Sequence, residues 1–178
     1  MIISRNRLAA IALLLSAVPA LAFEVSSSSV SDNKWDKKYF GDKISGCDGG
    51  NVSPAVAWKD PPSGTKSFGL TLYDPDAPTG SGWWHWQVWN IPATVTGFEE
   101  GKVPAGVTQG KGDVGRPGYL GACPPPGTGL HHYVFTVYAL KVDKLDLDPN
   151  AASGAYVGFA LNGNAIAKAT VTYTLPAP

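Results

Sequence analysis

Five side chains in this sequence join proton-transfer or anion-binding chemistry to close spacing. Asp74 and Asp76 stand in "YDPDAP", His85 in "WWHW", and His131 and His132 in "GLHHYVF". The three histidines are all that the chain contains, and they fall in two short stretches. An imidazole donates to oxyanions, ligates metals or exchanges protons near neutral pH, and a carboxylate orients an imidazole or ligates a metal itself. Two chemistries follow. In one, His85 and His131 offer N–H donors to a phosphate-like group. Asp74 then holds a histidine rather than touching the anion, because a bare carboxylate beside phosphate is repulsive. In the other, histidines and aspartates hold zinc with an open position and the protein is a metal-assisted hydrolase. The second lacks any HExxH-like spacing, and no GxSxG nucleophile motif is present. The first is the expectation, with no catalytic residue, no metal ligand and no cofactor.

Those residues need strands to position them. In "KSFGLTLYD", Phe68, Leu70 and Leu72 alternate with Ser67, Gly69 and Thr71, the period of a strand with one buried face. "WHWQVWNI" and "HHYVFTVYAL" are rich in β-formers and suit central strands covered on both sides, and "KATVTYTL" closes the chain in the same way. Strict alternation places His131 and Tyr133 on one face with Phe135, and His132 on the other, toward solvent. It likewise places His85 and Gln87 opposite Trp84 and Trp86. Tryptophans spread over both faces of a strand fill the two sides of a sandwich, although Trp83, Trp84, Trp86 and Trp89 also admit stacking on sugars. One helix is expected between Asn150 and Gly163, capped by Asp148, opened by Pro149, and with Ala152, Tyr156 and Phe159 facing the core. The fold class expected is mainly β, a two-sheet antiparallel β-sandwich with that helix near the C-terminus.

The stretch from Gly97 to Gly129 has many turn residues and little periodicity, so it is expected to be a long loop, and loops of such length in a compact domain are usually functional. Within it, "GACPPPG" lets Gly121 adopt positive φ, so that the amides of Gly121, Ala122 and Cys123 converge as an anion nest; a plain structural turn is the alternative.

Residues 1–22 are expected to be a secretory signal peptide and residues 23–178 one domain. Arg5 and Arg7 precede an apolar run from Leu8 to Val18, and Ala20-Leu21-Ala22 suits signal peptidase; a retained N-terminal anchor is the alternative. Removal of that leader leaves 12 basic against 14 acidic residues, a formal charge of −2. This is not the surface of a nucleic-acid-binding protein. No later segment is apolar enough to span a membrane. A periplasmic or secreted location is expected. Cys47 and Cys123 are the only cysteines, and an even pair in an exported protein points to a disulfide, with two buried free thiols as the alternative.

The stretches "YDPDAP", "GSGWWHWQVWN" and "GACPPPGTGLHHYVFTVYAL", with "GCDGGNVSPAVAW" and "SGAYVGFALNGNAIAKATVTYT", resemble the signature regions of the phosphatidylethanolamine-binding protein family, also called Raf kinase inhibitor-like proteins, and in particular its exported bacterial branch. The resemblance covers nearly all of Phe23 to Leu175. It implies a β-sandwich with a small surface pocket for anions such as a phospholipid head-group phosphate, lined by Asp74, His85, Gly121, Ala122, Cys123, His131 and Tyr133. Asp76, Pro78, Trp83 and Pro125 would shape its wall and mouth, and Ala77–Pro78 matches a cis peptide of the family. The partners implied are a phosphate-containing small molecule or lipid head group and a protein target, an enzyme that the protein inhibits or modulates. A homodimer is left open. His132 stands where animal members often carry arginine, so a basic rim is not carried over.

Overall fold

The computed structural model describes residues 21–43 and 46–178; the expected leader, Leu21 and Ala22 apart, lies outside them. Among the described residues, eight strands and one α-helix follow in order, with a short 3-10 turn at Lys37–Tyr39 between the first two strands: β1 (Glu24–Ser26), β2 (Val56–Lys59), β3 (Ser67–Asp74), β4 (Trp83–Pro92), β5 (Gly97–Phe98), β6 (Thr108–Gln109), β7 (Leu130–Leu140), α1 (Gly154–Asn164) and β8 (Ala165–Pro176). They form a three-stranded sheet, β1-β2-β5, and a five-stranded sheet, β6-β4-β3-β7-β8, with every pairing antiparallel. This is the expected two-sheet β-sandwich. Val25, Val56, Trp58 and Phe98 of the small sheet meet Phe68, Leu70, Leu72, Trp86, Val88 and Phe135 of the large one.

The large sheet is covered on its second face as well. Val157 and Leu161 of α1 pack there with Trp89, Tyr138 and Leu140. All but one residue of β3 is therefore buried, and the one-sided burial expected from its alternation does not hold. Gly69 explains the fit: a Cβ there would lie 2.2 Å from Leu161 Cδ2.

The helix begins later than expected. Ser153 is its N-cap, with its side chain accepting from the Tyr156 amide. Asp148 instead closes a separate turn, where its carbonyl accepts from Ala151 and Ala152. Only Ala152 of the three residues expected to face the core does so; Tyr156 and Phe159 are 56% and 75% exposed. The buried stripe is Gly154, Val157, Gly158 and Leu161. It exists because Trp84 lies flat against the two glycines, where a Cβ on Gly154 would come within 2.3 Å of the indole.

The stretch 97–129 is not a featureless loop. It carries β5 and β6, and beyond β6 it runs alongside β4: Gly110 donates to Gln87, Asp113 to Trp84 and Leu120 to His85, all backbone to backbone. Cys47 and Cys123 form a disulfide, Cα to Cα 6.0 Å, which ties the loop to the N-terminal segment.

Candidate functional site

The site sits where β3, β4 and β7 end together beside the 113–125 loop. It begins with a defect in pairing. Tyr73 opposes Trp84 and Leu72 opposes Trp86, so His85 is an extra residue in β4, a β-bulge. The bulge changes the side-chain parity. Trp84 packs on α1, His85 and Trp86 both turn toward the sandwich interior, and Trp89 returns to the α1 side. The alternation expected for this strand, with His85 and Gln87 opposite Trp86, therefore fails at His85, and the failure is what aims the imidazole at Tyr133. Their rings meet edge-to-face with centroids 5.3 Å apart.

On β7 the alternation holds. His131, Tyr133 and Phe135 are fully buried on one face, while His132 is partly exposed. His131 Nδ1 donates to Asp74 Oδ2 at 2.7 Å. The other Asp74 oxygen, Oδ1, accepts from the Asp76 amide at 2.9 Å, which closes the "DPDAP" turn. His131 Nε2 lies 2.7 Å from Thr128 Oγ1, so both ring nitrogens are engaged by protein. His132 pairs outside the site: its backbone N–H and its Nδ1 both reach Asp76 Oδ2 at 2.8 Å. Burial works against the Asp76 charge, but the His132 ring and amide outweigh it and hold the carboxyl below its ordinary value.

His85 is fixed from the loop side. Its Nδ1 donates to the Leu120 carbonyl at 3.0 Å. Burial lowers its pKa to about 4, against the opposing pull of the Leu120 and Gly121 backbones and the Asp74 carboxylate. The ring is neutral near neutral pH, and with Nδ1 carrying the proton, Nε2 keeps a lone pair. The Tyr133 hydroxyl is buried and makes no well-formed hydrogen bond to protein. Burial, reinforced by the Asp74 charge and only partly relieved by the Cys123 backbone, pushes the phenol well above its ordinary value.

Around these groups lies a cavity of about 360 Å³. Of the residues expected there, it is lined by Asp74, Pro78, Trp83, His85, Cys123, Pro125, His131 and Tyr133. Asp76, Gly121 and Ala122 are not among the lining residues. The anion nest expected at Gly121 to Cys123 does not form. Gly121 is not one of the positive-φ glycines, and its amide donates to Asn51 Oδ1 at 2.8 Å. The position requires glycine for a different reason, since a Cβ would lie 2.3 Å from the Tyr39 carbonyl oxygen. The cis peptide expected at Ala77–Pro78 is also absent: the described peptide bonds are trans, and the turn closes through Asp74 and a bond from the Thr79 amide to the Ala77 carbonyl.

The sequence did not place Ala77, Thr79, Val114, Leu120 or Pro124 in the lining, nor Thr128 against His131. Ala77, Pro124 and Thr128 stand inside the quoted motifs, Thr128 three residues before His131. Among the described residues, no group of three His, Cys, Asp or Glu side chains is placed to hold a metal ion. The two aspartates of the motif are instead engaged by His131 and His132.

A family model for phosphatidylethanolamine-binding protein matches residues 32–175. YbcL of Escherichia coli is 48% identical over 169 residues, covering 91% of this chain and 92% of its own. The crystal structure of YbcL, described as a new member of the mammalian PEBP family, superposes with a TM-score of 0.82 over 88% of this chain and 99% of that one. YbhB of E. coli is 53% identical over 133 residues, 71% of this chain and 83% of its own. LppC of Mycobacterium tuberculosis, named as a lipoprotein, is 43% identical over 105 residues, 59% of this chain and 51% of its own. A family match along most of the chain, with a shared fold and near-half identity to YbcL, places this protein in the phosphatidylethanolamine-binding protein family.

Proposed function

We propose that the protein is a non-enzymatic binding protein that captures a small phosphate-bearing group, such as a phospholipid head group, in the cavity bounded by Asp74, His85, His131 and Tyr133. The observation that carries this reading is the Tyr133 hydroxyl: it is a buried polar atom with no well-formed hydrogen bond among the described residues, and it belongs to a residue that lines the cavity. Leaving such a group unpaired costs about 1–3 kcal/mol, a cost that a bound oxyanion removes by accepting its proton. Pro78, Trp83 and Pro125 give the lining apolar surface that suits the organic part of such a ligand. The family's name points to the same ligand class. His131, held by Asp74 and Thr128, gives the cavity a rigid floor rather than a free donor.

Export to the periplasm or the cell exterior fits the same reading. It is supported by the leader-like first residues, by the Cys47–Cys123 disulfide, and by the relative LppC, named as a lipoprotein. Calorimetric titration of the oxidised domain with phosphoethanolamine, glycerophosphoethanolamine, inorganic phosphate and ethanolamine tests the proposal. Saturable binding of the phosphate compounds and none of ethanolamine is the expected result, and absence of binding by every phosphate compound rejects it.

A further inference from the structure

We infer that His85 makes the cavity selective for the protonation state of its ligand: it takes a monoprotonated phosphate monoester, ROPO3H⁻, in preference to the dianion and to a diester, by accepting the ligand's P–O–H proton at Nε2. The inference rests on the phosphate-group reading above and deepens it.

Few hydrogen-bonding groups of the cavity remain available once the protein's own bonds are formed. Asp74 is engaged through both oxygens and His131 through both nitrogens. The Thr79 hydroxyl donates to the Gly82 carbonyl at 2.5 Å. Three side-chain groups of the lining are left, of which the partly exposed Trp83 indole N–H is a further donor and does not alter what the two buried ones require. The Tyr133 hydroxyl has its proton to give. His85 has its Nδ1–H committed to the Leu120 carbonyl, so its remaining nitrogen, Nε2, carries a lone pair and accepts. A ligand that satisfies both must accept one hydrogen bond and donate another. Within the phosphate group itself, a dianion and a diester anion have acceptors alone, whereas a monoprotonated monoester has both.

Charge points the same way. Among the described residues, no lysine or arginine lines the cavity. The groups that face His85 are the Asp74 carboxylate from β3, His131 and Tyr133 from β7, and the backbone of Leu120 and Gly121 from the loop. The Asp74 carboxylate offsets any positive charge on the His131 ring, and no other group in this set is a fixed cation of the kind that a dianion needs on leaving water. Burial also holds His85 uncharged well into the acidic range, so the lone pair persists across the range in which a phosphomonoester takes up its second proton.

The binding step is a proton-coupled equilibrium with no covalent chemistry. Where the free ligand is a dianion, one proton enters from solvent with it and resides on the phosphate, shared with His85 Nε2. Calorimetry of the wild-type protein, in pairs of buffers that differ in ionisation enthalpy, counts that proton. The probes are phosphoethanolamine and its diester glycerophosphoethanolamine, between about pH 6, near the second pKa of a monoester, and about pH 8. The monoester should weaken by about tenfold per pH unit above that pKa and take up nearly one proton per site at the upper end. The diester should bind more weakly than the monoester at the lower end and take up none. Phosphorus NMR of the bound monoester should place its second pKa above that of the free compound. Replacement of His85 by phenylalanine, which keeps a ring and removes the lone pair, should abolish the uptake; if that variant does not fold, the wild-type linkage decides alone. Monoester binding without proton uptake, or equal uptake with the diester, overturns the inference and leaves phosphate capture standing. Failure of every phosphate compound to bind overturns both.

Discussion

His131 Nδ1 stands 2.7 Å from Asp74 Oδ2, joining adjacent strands β7 and β3 through two side chains that are 0% and 3% exposed. A pair so buried is worth less as attraction than as mutual compensation, because removal of one partner leaves the other stranded without water. Asp74→Ala and His131→Ala should each lower unfolding free energy by about 3–5 kcal/mol in urea titrations at neutral pH. A loss under about 1 kcal/mol for both would mean that the pair is hydrated in solution.

Tyr133→Phe should separate stability from binding. The variant deletes a buried hydroxyl that has no protein partner, so its stability should match or exceed that of the wild type. Affinity for phosphoethanolamine should fall by about 1.5–3 kcal/mol, the range for a hydrogen bond to a charged group. Unchanged affinity on calorimetry would remove Tyr133 from the ligand's contacts.

The depressed pKa of His85 has a definite stability signature. Its folded value, about 4, lies below the ordinary histidine value of about 6.5, so between these limits the unfolded chain binds the extra proton. The stability due to neutral His85 is complete above about pH 6.5 and declines as pH falls toward about 4, by about 3 kcal/mol in all at 1.36 kcal/mol per unit. Urea midpoints of wild type and His85→Phe, compared across that window, isolate this residue from the other titrating groups. Parallel curves would show that the ring titrates normally.

Reduction of the Cys47–Cys123 bridge opens a loop spanning 76 residues in sequence. On the chain-entropy account this costs about 4 kcal/mol. The reduced protein should unfold at correspondingly lower urea. Mass spectrometry after alkylation of the folded, non-reduced protein should find neither thiol labelled.

Two glycines of α1 should respond oppositely to alanine. At Gly154 the new Cβ would meet the Trp84 indole at 2.3 Å, so Gly154→Ala should destabilise by about 1–3 kcal/mol despite its better helix propensity. At Gly163 a Cβ meets nothing within 4 Å, and Gly163→Ala should stabilise by about 0.5–1 kcal/mol. Thermal melts of the two variants give the comparison directly.

The sequence by itself determined whatever depends on local period and on motif. The strands of the large sheet follow from β-formers between turns, and the placement of His131 and Tyr133 on one buried face follows from alternation that β7 obeys throughout. Asp74 and His131 were legible as partners in one site because their motifs are specific to the family. Only the tertiary structure decided the rest. His85 enters the cavity because β4 holds one residue more than β3 opposes, and register across a pair is a property of both strands. Its donor role was lost to Leu120, and the Gly121 amide to Asn51, because hydrogen-bond partners are assigned by how distant segments close on one another. The helix turned Tyr156 and Phe159 outward for the same kind of reason. Their apolar spacing favoured burial, but the large indole of Trp84 needed a surface without side chains, and Gly154 and Gly158 were the residues that supplied it.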